Sequence, residues 1–113
     1  MMLITTEELR KRLANVAAEF KKREEISAFY LFGSYAAGCP RSTSDVDVAI
    51  LLSSIMNREI ALDKRLSLMA EIAMIIGTDN LDVLILNEAP ASLAFRVLKD
   101  GQLLYLKKGG NKQ

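Results

Sequence analysis

Three aspartates are the residues of this chain whose type and spacing could do chemistry. Asp45 and Asp47 stand two apart at the start of an apolar run, and Asp82 is the only acid within a later apolar run. If both runs are neighbouring strands, the three carboxylates converge at one edge of a sheet. At least one of three carboxylates that lie so close together would bind a proton unless a cation lay between them. Carboxylate oxygens are suitable ligands for Mg²⁺ or Mn²⁺. We therefore predict Asp45, Asp47 and Asp82 as metal ligands and catalytic residues.

A glycine–serine pair supplies the second half of the pattern. Gly33 and Ser34 end an apolar run, and ten residues separate Ser34 from Asp45. Glycine lets a backbone approach a ligand closely, and amides that open a helix point at an anion. An anion cradle facing a divalent-metal cluster is typical of phosphoryl or nucleotidyl transfer. In such chemistry Asp45 and Asp47 bridge the metal ions, and Asp82 helps to remove the proton of the attacking hydroxyl.

Each part of this pattern also has a simpler explanation. A Gly-Ser turn is commonly just a turn, and two aspartates at a strand edge are commonly solvated. Asp82 alone is consistent with a polar residue at the start of a strand. The hypothesis of a site depends on their joint spacing and strand context.

Composition narrows the chemistry further. The chain has no histidine, which excludes histidine general bases, histidine metal ligands and Ser-His or Cys-His pairs. One cysteine, Cys39, excludes an internal disulfide; we interpret it as incidental, with a reactive thiol as the alternative. A net charge of +1 and few aromatic residues argue against direct nucleic-acid binding. No signal-like or membrane-spanning run is present, so a soluble cytoplasmic protein is expected.

The apolar periodicity predicts an α/β fold with a small mixed sheet flanked by helices. Thr5 and Glu8 have capping-box spacing at the start of the first helix. We expect one domain over residues 1–108 and a disordered tail over 109–113. The expected elements are a first helix, a strand over 26–32, a helical turn over 34–38, a loop over 39–44, a strand over 45–52, a helix over 58–76, a strand over 81–86, a short helix from Pro90, and an edge strand or packed tail over 103–106. The first helix is expected to have an inner face of Leu9, Leu13, Val16, Ala17 and Phe20. The inner face expected for the short helix comprises Leu93, Ala94, Val97 and Leu98.

The helix over 58–76 is apolar on more than one side. Its main stripe is predicted to comprise Leu62, Leu66, Met69, Ala73 and Ile76. Further apolar residues widen that surface beyond what one sheet face needs. The excess is explained either by a helix buried in its own core or by contact with a partner chain.

These motifs resemble the signature of nucleotidyltransferases related to DNA polymerase β and kanamycin nucleotidyltransferase. The resemblance lies in FGSYAAG, the loop carrying Arg41, SDVDVAIL, LDVLILN with Asp82, and the tail PASLAFRVLKDGQLLY. At this length the chain most resembles the minimal nucleotidyltransferases, the MNT or MntA-like proteins. Many relatives carry arginine where this chain has Ala37. The loss of that arginine could weaken nucleotide affinity, and Arg41 in the same loop could take its place. The resemblance implies a nucleotidyltransferase fold, with nucleotide binding at Gly33, Ser34 and Arg41.

The resemblance also implies a partner and a reaction. Minimal members are similar to one half of a toxin–antitoxin pair, in which the other half is a helical HEPN protein, often a ribonuclease toxin. The nucleotidyltransferase is the antitoxin and transfers AMP from ATP to a tyrosine of the HEPN partner with Mg²⁺ or Mn²⁺. The apolar helix would suit that partner or a homodimer.

Two alternatives stay open. The first is a catalytically weak or inactive subunit that neutralises a HEPN partner by binding alone. Ala37 favours it, whereas the joint presence of Ser34, Asp45, Asp47 and Asp82 favours an enzyme. The second is transfer to a small molecule, which the absence of an acceptor domain disfavours unless a homodimer builds the pocket.

Overall fold

A computed structural model describes residues 4–38, 45–54 and 57–108. Within these ranges, four strands form a single mixed sheet with helices packed on it, which confirms the predicted fold class. The elements in chain order are α1 (Thr6–Phe20), β1 (Ile26–Phe32), α2 (Gly33–Ala36), β2 (Val46–Leu52), α3 (Arg58–Ile76), β3 (Leu81–Ile85), a short 3₁₀ helix (Leu86–Glu88), α4 (Ala91–Asp100) and β4 (Gln102–Leu106).

The sheet has the strand order β3-β2-β1-β4. β1 lies antiparallel to both β2 and β4, whereas β2 and β3 run parallel and are joined through α3. The segment predicted as an edge strand or packed tail is therefore an edge strand. Because β2 and β3 are parallel neighbours, their first residues lie side by side at one end of the sheet.

One face of the sheet carries the main core. Its buried residues come from α1, α3 and the alternate positions of the strands. The predicted start of α1 is confirmed, because the Thr5 side chain accepts a hydrogen bond from the Glu8 amide at 3.1 Å. Phe20 of α1 packs edge-to-face on Phe29 of β1, with ring centroids 4.9 Å apart. Thus α1 fixes the strand that leads into the glycine–serine turn.

The bounds of α3 are confirmed, but part of its predicted stripe is wrong. Leu62 and Leu66 are 52% and 51% exposed, and the buried positions are Ala61, Leu68, Ile72 and Ile76. The helix carries apolar residues on all its sides, so periodicity alone does not select the face that packs. The exposed leucines leave the prediction of a partner-binding surface untested.

Helix α4 covers part of the opposite sheet face. Val97 is buried there against Ala49 of β2, and Leu93 and Ala94 pack around this small cluster. Leu98, predicted on the inner face, is 57% exposed. The end of this face near the first residues of β2 and β3 carries aspartates instead of apolar side chains.

Some predictions fall on residues outside the described ranges. They concern Cys39, Arg41 and the tail over 109–113. Among the helices of the described ranges, none combines the length and the apolar character needed to cross a membrane.

Candidate functional site

The predicted convergence of the aspartates depends on the register of three strands. Asp47 pairs with Asp82 across the parallel strands β2 and β3, and with Phe32 across the antiparallel pair β1 and β2. Asp45 precedes β2 and stands two residues before Asp47, on the same side of the chain. The fold therefore brings the three aspartates to one end of one sheet face, as the sequence predicts.

Electrostatics reflects this proximity. The pKa of Asp47 is raised, first because burial disfavours its charged form and then because Asp82 and Asp45 add like charge. Asp45 and Asp82 are exposed, while Asp47 is partly buried between them. A cation bound at this place would relieve the repulsion among the three carboxylates.

Gly33 adopts a conformation and a position that only glycine fits easily. Its φ is +78°, in the left-handed region. A Cβ atom added at this position would lie 3.1 Å from Asp47 Cγ and 3.2 Å from Asp47 Cβ, and it would overlap Asp47 Oδ2. The glycine–serine turn thus lies directly against Asp47.

The short helix α2 begins at Gly33 and includes Ser34, which is partly buried. Tyr35 is buried in the main core, and burial raises the pKa of its hydroxyl. At the other end of α2, the Gln102 side-chain amide donates a hydrogen bond to the Ala36 carbonyl at 2.8 Å. The turn is therefore anchored on one side by the core and on the other by β4.

An arginine that the sequence analysis missed contacts the third aspartate. Arg65 of α3 donates to Asp82 Oδ1 at 2.9 Å and to the Val83 carbonyl at 2.7 Å. No basic residue lies within the three strands themselves, but this one reaches them from α3. Arg65 is one of several charged residues of α3, so the sequence carries no signal that singles it out as the partner of Asp82. Among the described residues, no group of three or more acidic or cysteine side chains is arranged to hold a metal ion.

The chemistry of the donor set nevertheless fits a hard divalent cation. Asp45, Asp47 and Asp82 offer only carboxylate oxygens, which Mg²⁺ and Mn²⁺ prefer. Gly33 leaves the space beside Asp47 Oδ2 that a side chain would fill. Asp82 Oδ1 accepts the hydrogen bond from Arg65, so a cation held by this oxygen would have to displace that bond.

A cavity of about 360 Å³ adjoins the glycine–serine turn. Its walls include Phe32 and Gly33 from the sheet side, Ala37 from the end of α2, and Arg96 and Asp100 from α4. This volume lies at the small end of the range for ligand pockets, about 300–1,000 Å³. Sequence reasoning did not select Arg96 or Asp100, because only the packing of α4 on the sheet brings them to the turn.

Comparisons with solved structures find toxin–antitoxin complexes. A chain of a toxin–antitoxin crystal structure with AMP-PNP matches at 26% identity and a TM-score of 0.63, covering 93% of this chain and 76% of that chain. A chain from the Shewanella oneidensis complex of a tri-AMPylated HEPN toxin with an MNT antitoxin matches at 22% identity and a TM-score of 0.61, covering 91% and 74%. A protein assigned as a minimal nucleotidyltransferase matches at 20% identity and a TM-score of 0.68, covering 89% and 97%.

The similarities to the Shewanella oneidensis complex and to the minimal nucleotidyltransferase show a shared fold. A search of the curated proteins finds no match. The family model "Polymerase beta, Nucleotidyltransferase" matches residues 14–109, which include the turn, the three aspartates and all four strands. Since this match spans most of the chain, the protein belongs to the polymerase beta nucleotidyltransferase family.

Proposed function

We propose that this protein is the antitoxin of a HEPN/MNT pair and transfers AMP from ATP to a tyrosine of its HEPN partner. The observation that carries the proposal is the register of Asp47 beside Asp82, with Asp45 close by and Gly33 in contact with Asp47. A module that only docked would not need acids gathered at a glycine turn. The similarity to complexes with AMP-PNP and with an AMPylated HEPN toxin supports this choice of substrate and partner.

The reaction forms a bond between the tyrosine oxygen and the α-phosphorus of ATP and breaks the bond to the leaving pyrophosphate. Asp82 is exposed on the open sheet face and would accept the proton of the tyrosine hydroxyl. Gly33 and Ser34 would hold phosphate oxygens through the amides that open α2, and Arg41 would contribute from the following loop. Asp45, Asp47 and Asp82 would hold Mg²⁺ or Mn²⁺, which neutralises phosphate charge when bound.

The experiment is to incubate the protein with α-labelled ATP and Mg²⁺, with and without the product of the adjacent gene. We expect label on that partner, lost in the Asp45→Ala/Asp47→Ala variant. Asp82→Asn should reduce transfer by about 100-fold or more with the fold intact, because the residue is exposed and contributes general-base catalysis. Unchanged transfer in Asp82→Asn would remove this residue from the mechanism.

A second function, neutralisation by docking alone, has one observation in its favour. Arg65 occupies Asp82 in an ion pair, so the third carboxylate is engaged within the protein itself. A tight complex with the partner and no label, at any concentration of Mg²⁺ or Mn²⁺, would establish docking and refute transfer. Exposed Leu62, Leu66 and Met74 on α3 would then be the first residues to replace.

A further inference from the structure

Arg96 of α4 is a positively charged residue beside the candidate site. Arg12, Arg23, Arg58 and Arg65 each form an ion pair with a carboxylate. Within residues 4–38, 45–54 and 57–108, no ion pair involves Arg96, although Asp100 stands one turn away on the same helix. Its charge is therefore available to a ligand.

The position of Arg96 is fixed by its neighbour in the chain. Val97 is buried against the sheet, so the backbone of α4 is held while the adjacent Arg96 side chain lines the cavity of about 360 Å³. Gly33 lines the same cavity and also contacts Asp47. The cavity therefore joins Arg96 directly to the end of the sheet where the carboxylates gather.

We propose that Arg96 binds the phosphate groups of a nucleotide that enters this cavity. A planar guanidinium can donate two parallel hydrogen bonds to phosphate oxygens. Gly33, where α2 begins, lines the same cavity, so phosphates held by Arg96 would lie beside the glycine–serine turn, and Phe32 offers apolar surface to the nucleoside. This inference rests on the proposed function and names a residue for it from α4, outside the glycine–serine turn and the aspartates.

The test compares Arg96→Gln with Arg10→Gln. Arg10 is an exposed arginine of α1 that likewise forms no ion pair among the described residues, so it controls for the loss of one surface charge. Binding of ATP is measured by isothermal titration, in EDTA and in Mg²⁺, and binding of adenosine by NMR titration, which detects millimolar affinities. Circular dichroism and the Tm show whether each variant folds, and Arg96→Lys provides a conservative variant.

We expect Arg96→Gln to weaken ATP binding by roughly 10- to 100-fold, the range for a lost charge-assisted hydrogen bond. Adenosine binding should change by less than about twofold, and Arg96→Lys should recover part of the ATP affinity. Arg10→Gln should bind both ligands like the wild type.

Two results would overturn the inference while leaving the proposed function in place. One is an unchanged ATP affinity in Arg96→Gln when the wild type still transfers AMP. The other is an equal loss for ATP and adenosine, which would place Arg96 on the nucleoside. A wild-type protein that binds no nucleotide would overturn both the inference and the proposed function.

Discussion

Replacing Gly33 by alanine should damage the candidate site, and the clash with Asp47 can be measured separately from the backbone strain. Three described glycines have positive φ angles, and they differ in what an added Cβ would meet. At Gly33, with φ +78°, the added atom would overlap the Asp47 carboxylate, whereas at Gly38, with φ +79°, it would meet nothing within 4 Å. Gly38→Ala is therefore a matched control for backbone strain alone.

The cost of each variant has two shared terms and one that differs. A left-handed conformation costs an alanine about 1–2 kcal/mol, and the loss of glycine freedom in the unfolded chain returns about 0.4–1 kcal/mol. In Gly33→Ala the Asp47 side chain must also leave its rotamer, at about 0.5–1.5 kcal/mol. We therefore expect Gly33→Ala to be less stable than Gly38→Ala by about 0.5–1.5 kcal/mol.

Urea denaturation measures the free energies of unfolding of both variants. The same pair is then made in an Asp47→Ala background, where the overlapping carboxylate is absent and only the contact of 3.2 Å with Cβ of residue 47 remains, so the difference between the two substitutions should shrink. Nucleotidyl transfer should fall more in Gly33→Ala than in Gly38→Ala, because only the former moves Asp47.

Equal costs in the wild-type background would refute this reasoning. So would a difference of undiminished size with alanine at position 47, because strain at Gly33 would then not arise from the Asp47 carboxylate. Either result would mean that the glycine serves the turn and not the carboxylate beside it.

Three further predictions concern charge. Burial and the like charges of Asp82 and Asp45 raise the pKa of Asp47 in the folded state, so its charge costs stability as the pH rises through that pKa. Asp47→Asn should therefore be more stable than wild type at pH 7, and the difference should narrow at pH 4, in thermal melts without metal. Adding Mn²⁺ should stabilise the wild type and not that variant, and a melt insensitive to Mn²⁺ in both would contradict the proposed metal site. In the same urea titrations, Arg65→Gln should lower the free energy of unfolding by about 1–1.5 kcal/mol, because its bonds to Asp82 and Val83 are removed. Arg58→Gln should lower it by less than about 0.5 kcal/mol, because the Arg58 side chain is 93% exposed and lies 3.4 Å from its partner. Equal losses would show that the Arg65 bonds do not stabilise the fold.

The features predicted well from the sequence are those set by local chemistry. The helix predicted over 58–76 is an example: the structure shows the Asn57 side chain accepting a hydrogen bond from the Ile60 amide at 2.9 Å at its start, and Gly77 ending it with φ +78°. The alternation of Asp45 and Asp47 with apolar neighbours placed both carboxylates on one sheet face. Such signals operate within a few residues, so the sequence displays them directly.

The features that were missed depend on contacts between distant segments. The packed face of α3 was misassigned because apolar residues surround the helix, and only its packing on α1 and β3 selects Leu68 and Ile72. Arg65 meets Asp82 only after α3 folds back along β3, and Arg96 reaches the turn only after α4 crosses the sheet. The spacing of residues within one segment does not predict these contacts between distant segments.

The bond from Arg65 to the Val83 carbonyl also affects how the sheet can associate. β3 is an outer strand, and outer strands expose backbone groups to which another chain can add a strand. One such acceptor on β3 is already used by the Arg65 guanidinium, which stands in the way of an incoming strand. Strand addition at β3 would therefore have to break the bond from Arg65 to Val83, and the same guanidinium also pairs with Asp82. Addition at β4, the opposite outer strand, would leave that ion pair untouched.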